Sequence, residues 1–424
     1  MGKWTILRQR LHEGWLYRFG YKQMPTRQQH FIRQLQGRQP VKVVFMALNI
    51  TMWKFQGIYD LLKADKRFDV TIVLSPGITY KQEQRLRDLN QMRNYFSQRG
   101  MKFVDWYLED NAEALNVRKE LNPDVVFYMQ PYHGSYHPRH CFLNFTDRLM
   151  VYSPYSYLQA HVSFNYDNVL QNVAWKNYYV NQYHLADAKL LARNKGINAV
   201  AVGYTSADVY CHNQYQEVWN DKGHSHKRLI WAPHCTLAND GSVNSRSNFL
   251  MMADYMIELA KKHPNDLQIA FKPHPGLLTE LYKHPDWGKE KADAYYDQWR
   301  KMENTQLADG EFVNLFQGSD AMVHDSGSFV IDYLYFHHPV MYISQDIERA
   351  KSYVNVPGQQ AYGAHYIGST LDDIERFVND VVLGGKDTMQ EKRQDYFNEF
   401  LQSPDGQSTA SNIYHDMLRS LGME

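Results

Sequence analysis

The stretch AMVHDSGSFVIDYLYF (Ala321–Phe336) decides the fold of this 424-residue chain. Its apolar start, Ala321–Val323, runs into the polar turn His324-Asp325-Ser326-Gly327-Ser328, after which an apolar helical pattern takes over. A short buried strand handed through a tight turn to a helix is the repeating unit of a parallel α/β sheet. PVMYIS (Pro339–Ser344) then reads as the next strand. Upstream lie RLIWAPH (Arg228–His234) and LQIAFKPHP (Leu267–Pro275), two further strands. Between them Phe249, Met252, Met256 and Leu259 recur at helical spacing within Asn248–His263.

The same alternation fills the first half. VKVVFMAL (Val41–Leu48), FDVTIVLSP (Phe68–Pro76), KFVDWY (Lys102–Tyr107), PDVVFYMQ (Pro123–Gln130) and RLMVYSPY (Arg148–Tyr155) read as strands. Helical text covers Phe55–Ala64 and Tyr80–Gly100, and NAVAVGYTSAD (Asn198–Asp208) closes the half. The Asn-, Gln-, His- and Gly-rich segment Val209–His226 has little apolar periodicity and reads as a linker. The expectation is an α/β chain of two Rossmann-like domains facing a cleft, residues 41–215 and 226–375. A basic amphipathic segment over residues 1–40 precedes them, and C-terminal helices over 376–424 follow.

Composition narrows the function classes. Forty-six basic side chains balance 46 acidic ones, so no net field draws the chain to nucleic acid. Cys141, Cys211 and Cys235 are odd in number and form no C-x-x-C pair. That argues for a reducing compartment and against both a disulfide framework and a zinc site. No apolar run reaches membrane-spanning length, and the N-terminus lacks the apolar core of a signal peptide. The expected location is the cytoplasm, peripheral on the inner face of the cytoplasmic membrane.

The peripheral part of that expectation comes from residues 1–40. Lys3, Arg8, Arg10, Arg18, Lys22, Arg27, Arg33 and Arg38 stand there against the single acid Glu13. Trp4, Leu7, Leu11 and Trp15 recur at helical spacing, with Ile6, Leu16 and Phe19 widening the stripe. A helix of this kind either lies in an anionic bilayer interface or packs on the body of the protein. Trp4, Arg8, Arg10 and Trp15 are the expected membrane contacts.

Chemistry concentrates at three strand ends in the second half, where open α/β sheets bind ligands. WAPHCT (Trp231–Thr236) carries His234 on a proline-stiffened exit. FKPHPG (Phe271–Gly276) holds His274 between two prolines, with Lys272 two residues earlier and on the same side of an extended chain. A fixed imidazole beside a cation suits a phosphate group. The Asp325–Ser328 turn offers hydroxyls and backbone N–H groups at a helix start, an anion site by geometry, or an ordinary helix cap. There is neither a G-x-x-x-x-G-K-[ST] loop nor a G-x-G-x-x-G fingerprint, which argues against a dehydrogenase.

The order APH.T, KPHP and SD...HDSGSF..D, followed by PVMYI, resembles the C-terminal half of the CDP-glycerol glycerophosphotransferases over Arg228–Ser344. In the first half VGY (Val202–Tyr204) with Asp208 resembles the segment closing that family's first domain. The resemblance implies a GT-B-like fold and transfer of a glycerol phosphate, or a related polyol phosphate, from a CDP donor. The acceptor would be a hydroxyl of a surface polymer or of a lipid-linked chain, and CMP would be released; CDP-glycerol or a similar nucleotide is the substrate expected, and a divalent metal is left open. Ser326, Gly327, Ser328, Asp325 and Lys272 would take the donor phosphates. One of His234 and His274 would deprotonate the acceptor while the other binds the transferred phosphate. Two departures stand out: Ser326-Gly327-Ser328 replaces a Tyr-Ser-Ser turn, and SPYSY (Ser153–Tyr157) stands where a Gln-x-Trp-His-Gly segment is usual. A GT-B glycosyltransferase using a nucleotide sugar and a non-catalytic partner in polysaccharide assembly are the alternatives.

Overall fold

The computed structural model describes residues 3–105, 115–212, 214–221, 226–237, 247–310 and 312–424, with the side chains of residues 3–9 and 212 outside the described set. Two compact units emerge, Met1–Asp208 with Ser403–Glu424 and Val209–Gln402.

The first unit is built on seven strands. They are β1 (Val41–Ala47), β2 (Phe68–Leu74), β3 (Phe103–Val104), β4 (Val125–Tyr128), β5 (Leu149–Tyr152), β6 (Lys176–Tyr179) and β7 (Ala199–Ala201). Their order is β3-β2-β1-β4-β5-β6-β7, and every pairing is parallel. In β1 only Lys42 is exposed, as expected of a central strand covered on both faces. Trp106 and Tyr107, read as part of the third strand, lie outside the described residues. Strand β6 escaped the pattern because Lys-Asn-Tyr-Tyr contains no aliphatic residue. Its tyrosines are nevertheless buried with their hydroxyls satisfied: Tyr178 donates to Asp416 at 2.8 Å, and Tyr179 accepts from Gln171 at 3.1 Å.

The chain returns to this unit at its end. Asp208 accepts from the backbone N–H of Thr409 (2.8 Å) and Ala410 (2.7 Å), capping the helix Thr409–Leu421. Gly203, at φ +101°, lets that helix start approach closely: a Cβ there would stand 2.5 Å from Ser403 Oγ and 2.6 Å from Thr409 Oγ1. Gly203→Ala combines a disfavoured backbone with that clash. Chemical denaturation is expected to show the first unit destabilised by about 2–5 kcal/mol.

The N-terminal helix Lys3–Arg18 forms and packs on the first unit. Leu16 is fully buried, Tyr17 donates to Asp167 at 2.7 Å, and Glu13 pairs with His133 at 2.6 Å. Leu11, Trp15 and Phe19 remain 66%, 39% and 58% exposed, so one face docks and another is left apolar in water. Arg10 is exposed beside them, whereas the side chains of Trp4 and Arg8 lie outside the described residues.

The second unit holds β8 (Lys227–Ala232), β9 (Leu267–Phe271), β10 (Thr305–Leu307), β11 (Ala321–His324), β12 (Val340–Ile343) and β13 (Tyr366–Gly368). These run parallel in the order β10-β9-β8-β11-β12-β13. Its core is aromatic: the Trp231 ring lies 4.9 Å from Phe271, 5.7 Å from Phe249 and 5.6 Å from Trp299.

The presumed linker behaves differently from its composition. Trp219 is buried and donates to Leu315 O at 3.2 Å, and the buried Arg228 guanidinium bonds Glu217 at 3.0 Å and the Asp221 carbonyl. One tryptophan and a sequestered arginine thus fasten a polar segment to the second unit without apolar periodicity. The tail also divides: Ile374, Phe377 and Val378 join the second core, while only the last helix belongs to the first unit.

Candidate active site

In the second sheet the strand order reverses between β8 and β11, the place where open α/β folds bind ligands. Register brings the three strand ends there together. Ala232 pairs with His324, and Trp231 with Phe271, so the exits carrying His234, Asp325 and His274 are neighbours. Backbone bonds continue the alignment past the strands, from Lys272 N to Trp231 O (2.8 Å) and from His274 N to Pro233 O (3.0 Å). The His234 and His274 rings end with centroids 4.7 Å apart.

Asp325 holds this arrangement rather than binding phosphate. Its carboxylate is 1% exposed and accepts from His234 N at 2.6 Å and from the backbone and side chain of Asn248. Burial pushes its carboxyl up to about 6, while the bonds from Asn248 and His234 oppose the rise. A buried anion already committed to N–H groups braces two loops, and a phosphate would be repelled by it. Asn248 extends the brace to Ile343 O (3.1 Å) and accepts from Gln345 (3.2 Å).

The turn after β11 is tighter than its sequence suggests. His324 Nδ1 donates to Ser326 O at 3.1 Å, and burial keeps this imidazole neutral. His365, equally buried, lies 5.5 Å away between ring centroids, with its Nδ1 donating to Ala361 O at 2.7 Å. Ser326 and Gly327 are buried, and Ser328 is exposed. The helix that follows spans only Phe329–Asp332 before a 3-10 turn over Tyr333–Phe336. So short a helix has little macrodipole, and anion binding at the turn would rest on its individual N–H and O–H donors. Lys272 Nζ donates to Ala308 O (3.3 Å) and Gly310 O (2.9 Å), which ties the ammonium to the loop after β10.

Cys235 completes a cluster with the two histidines, one potential ligand atom from each lying within 4.8 Å of the others. The cluster suits a metal poorly. Gly276 N donates to His274 Nδ1 at 3.0 Å and Thr236 N to His234 Nδ1 at 3.3 Å. Metal-bound imidazole needs an N–H at its second nitrogen, which would here confront a backbone N–H. Burial also pushes the Cys235 thiol up, away from the thiolate a metal takes.

Against known proteins, residues 158–418 match the profile of the CDP-Glycerol:Poly(glycerophosphate) glycerophosphotransferase family. The minor teichoic acid biosynthesis protein GgaB of Bacillus subtilis (strain 168) is 25% identical over 190 residues, covering 44% of this chain. The match spans only 19% of that protein's own length. Among solved structures, the S. aureus MnaA–UDP co-structure superposes with a TM-score of 0.58 at 13% identity, over 91% of this chain and 98% of that one. A variant of the wall teichoic acid polymerase TagF gives 0.53 at 13% identity, over 99% and 100%. These two likenesses establish the fold, and the matched profile takes in all three strand-end sites. The chain belongs to the CDP-glycerol:poly(glycerophosphate) glycerophosphotransferase family.

Proposed function

We propose that the protein transfers glycerol phosphate, or a related polyol phosphate, from a CDP-activated donor to a hydroxyl of a surface polymer or lipid-linked acceptor. The observation that carries this reading is the convergence of His234, His274 and the Ser326–Ser328 turn at the β8/β11 reversal, within the matched region. UDP in the MnaA co-structure supports a nucleoside diphosphate as a ligand for this architecture. In this reading the acceptor oxygen bonds to the β-phosphorus of the donor. The bond from that phosphorus to the bridging oxygen breaks, the oxygen leaves with CMP, and the hydroxyl proton is released. Such transfers depend mainly on positioning and charge stabilisation. The turn supplies donors to the pyrophosphate, Lys272 adds positive charge at the strand end, and the histidines contact the phosphate in flight. Calorimetric titration tests donor recognition: CDP-glycerol or CDP should bind, and absence of binding by any cytidine or uridine diphosphate would reject an enzyme of this kind.

A peripheral membrane position is part of the same proposal. Among the described residues no helix is long and apolar enough to cross a membrane. The exposed Leu11, Trp15 and Phe19 beside Arg10 and Arg18 suit shallow insertion into an anionic leaflet. The triple substitution of these three apolar residues by glutamate is expected to abolish sedimentation with phosphatidylglycerol vesicles while leaving CDP binding intact. Unchanged sedimentation would remove the membrane from the account.

A further inference from the structure

We infer that both histidines of the site work as neutral N–H donors, each locked with its proton on Nε2, and that neither is the base for the acceptor hydroxyl. This deepens the transferase reading and rests on it for the identity of the group contacted. The lock is local and is made at both site histidines. In His274-Pro275-Gly276 the Gly276 N–H donates to His274 Nδ1 at 3.0 Å. In His234-Cys235-Thr236 the Thr236 N–H donates to His234 Nδ1 at 3.3 Å, and Thr236 Oγ1 stands 3.0 Å from the same nitrogen. A backbone amide can only donate, so an Nδ1 that receives one must present its lone pair. A neutral ring then carries its hydrogen on Nε2; the threonine hydroxyl can donate or accept, so the amide is what decides the tautomer. Protonating Nδ1 would set N–H against N–H in both turns.

The bond is a local turn geometry, in which the amide two positions on reaches back to Nδ1; it recurs at His137 (3.2 Å) and His284 (3.3 Å). At the site, a proline before each histidine also fixes the strand exit, so the locked ring is held in place. Gly276 fits this turn because a Cβ there would meet His274 Nδ1 at 3.3 Å and Cys235 Sγ at 3.4 Å. Burial lowers the His274 pKa, which keeps that ring neutral at physiological pH.

A base acting through Nε2 would need its lone pair there, the opposite tautomer. An Nε2–H donor instead stabilises charge building on phosphate oxygens. With ring centroids 4.7 Å apart, the pair forms a two-donor clamp for one phosphate group. In a loose phosphoryl-transfer transition state the acceptor proton departs late, and water suffices to receive it. The bond changes stay those of the proposed transfer, with CMP leaving on the bridging oxygen.

Glutamine and alanine substitutions separate donor from base. A glutamine amide can place an N–H near the position of Nε2 but cannot accept a proton as a base does. His234→Ala and His274→Ala are each expected to lower kcat by about 100-fold, and the corresponding glutamine variants to recover at least about tenfold of it. Circular dichroism of each variant checks that it is folded. In the wild-type chain, nitrogen-15 histidine spectra at neutral pH should show both site rings as Nε2–H. An Nδ1–H signal from either ring, or glutamine variants no better than alanine, would overturn the assignment. A protein inactive with every CDP donor would instead defeat the transferase reading, and the tautomers would still be readable.

Discussion

Replacing Asp325 with alanine is expected to reduce transfer turnover by about 100-fold, the scale of misplacing a catalytic group by roughly an ångström. Its carboxylate joins the β11 turn to His234 and to the start of the helix Phe249–Lys262 through Asn248. Without it the backbone amides of His234 and Asn248 lose this carboxylate acceptor, and the loop bearing His234 loses its register. Calorimetry would show weakened donor binding, whereas a role confined to the chemical step would leave binding unchanged. The pH dependence adds a second signature. The carboxyl is pushed up to about 6 in the folded chain against an ordinary value near 3.8, so the native state binds its proton more tightly than the unfolded chain does. Its favourable contribution is full below about pH 3.8 and is lost as pH rises through about 6, a fall of about 3 kcal/mol from this group alone. Denaturation curves of wild type and Asp325→Asn across that window should differ in slope by this contribution. Parallel curves would refute it.

Trp231→Ala should produce the largest loss of stability. The ring is fully buried on β8 and packed between Phe249, Phe271 and Trp299. Removing it leaves a cavity among rigid rings that cannot collapse together, at a cost of about 3–5 kcal/mol. Urea denaturation should show the second unit unfolding at lower concentration with the first unchanged. A loss below about 1 kcal/mol would mean that this aromatic stack is not the core of the unit.

The sheets were legible because parallel strands buried on both faces are written as near-continuous apolar runs, as in Val41–Leu48, interrupted only by Lys42, and Leu267–Phe271, interrupted only by Gln268. Strand β6 was not, since its tyrosines become core residues through hydroxyl partners, Asp416 on the last helix and Gln171 on the helix just before the strand. The strand β10, Thr-Gln-Leu, is too short and too polar to announce itself. Likewise nothing local marks Trp219 as the buried anchor of residues 214–221, because Trp219 and Arg228 find each other only after folding; the guanidinium stands 5.5 Å from the indole ring.

The site divides in the same way. His234 and His274 were visible because prolines fix them at strand ends, and register then sets them side by side. The proper part of Asp325 depended on a partner 77 positions away, Asn248, which no motif names. Lys272 was placed by alternation on the histidine's side, yet its ammonium is held by carbonyls of the loop after β10. Thr236 and Gly276 looked like filler, and their amides decide which imidazole nitrogen keeps its proton.

Product analysis with a CDP-polyol donor and a hydroxyl-bearing acceptor tests the central claim most directly. The account predicts CMP in equal amount to the polyol phosphate transferred, with the yield collapsing in His274→Ala. Release of a nucleoside diphosphate with a transferred glycosyl group, or CMP formation undiminished in that variant, would contradict it.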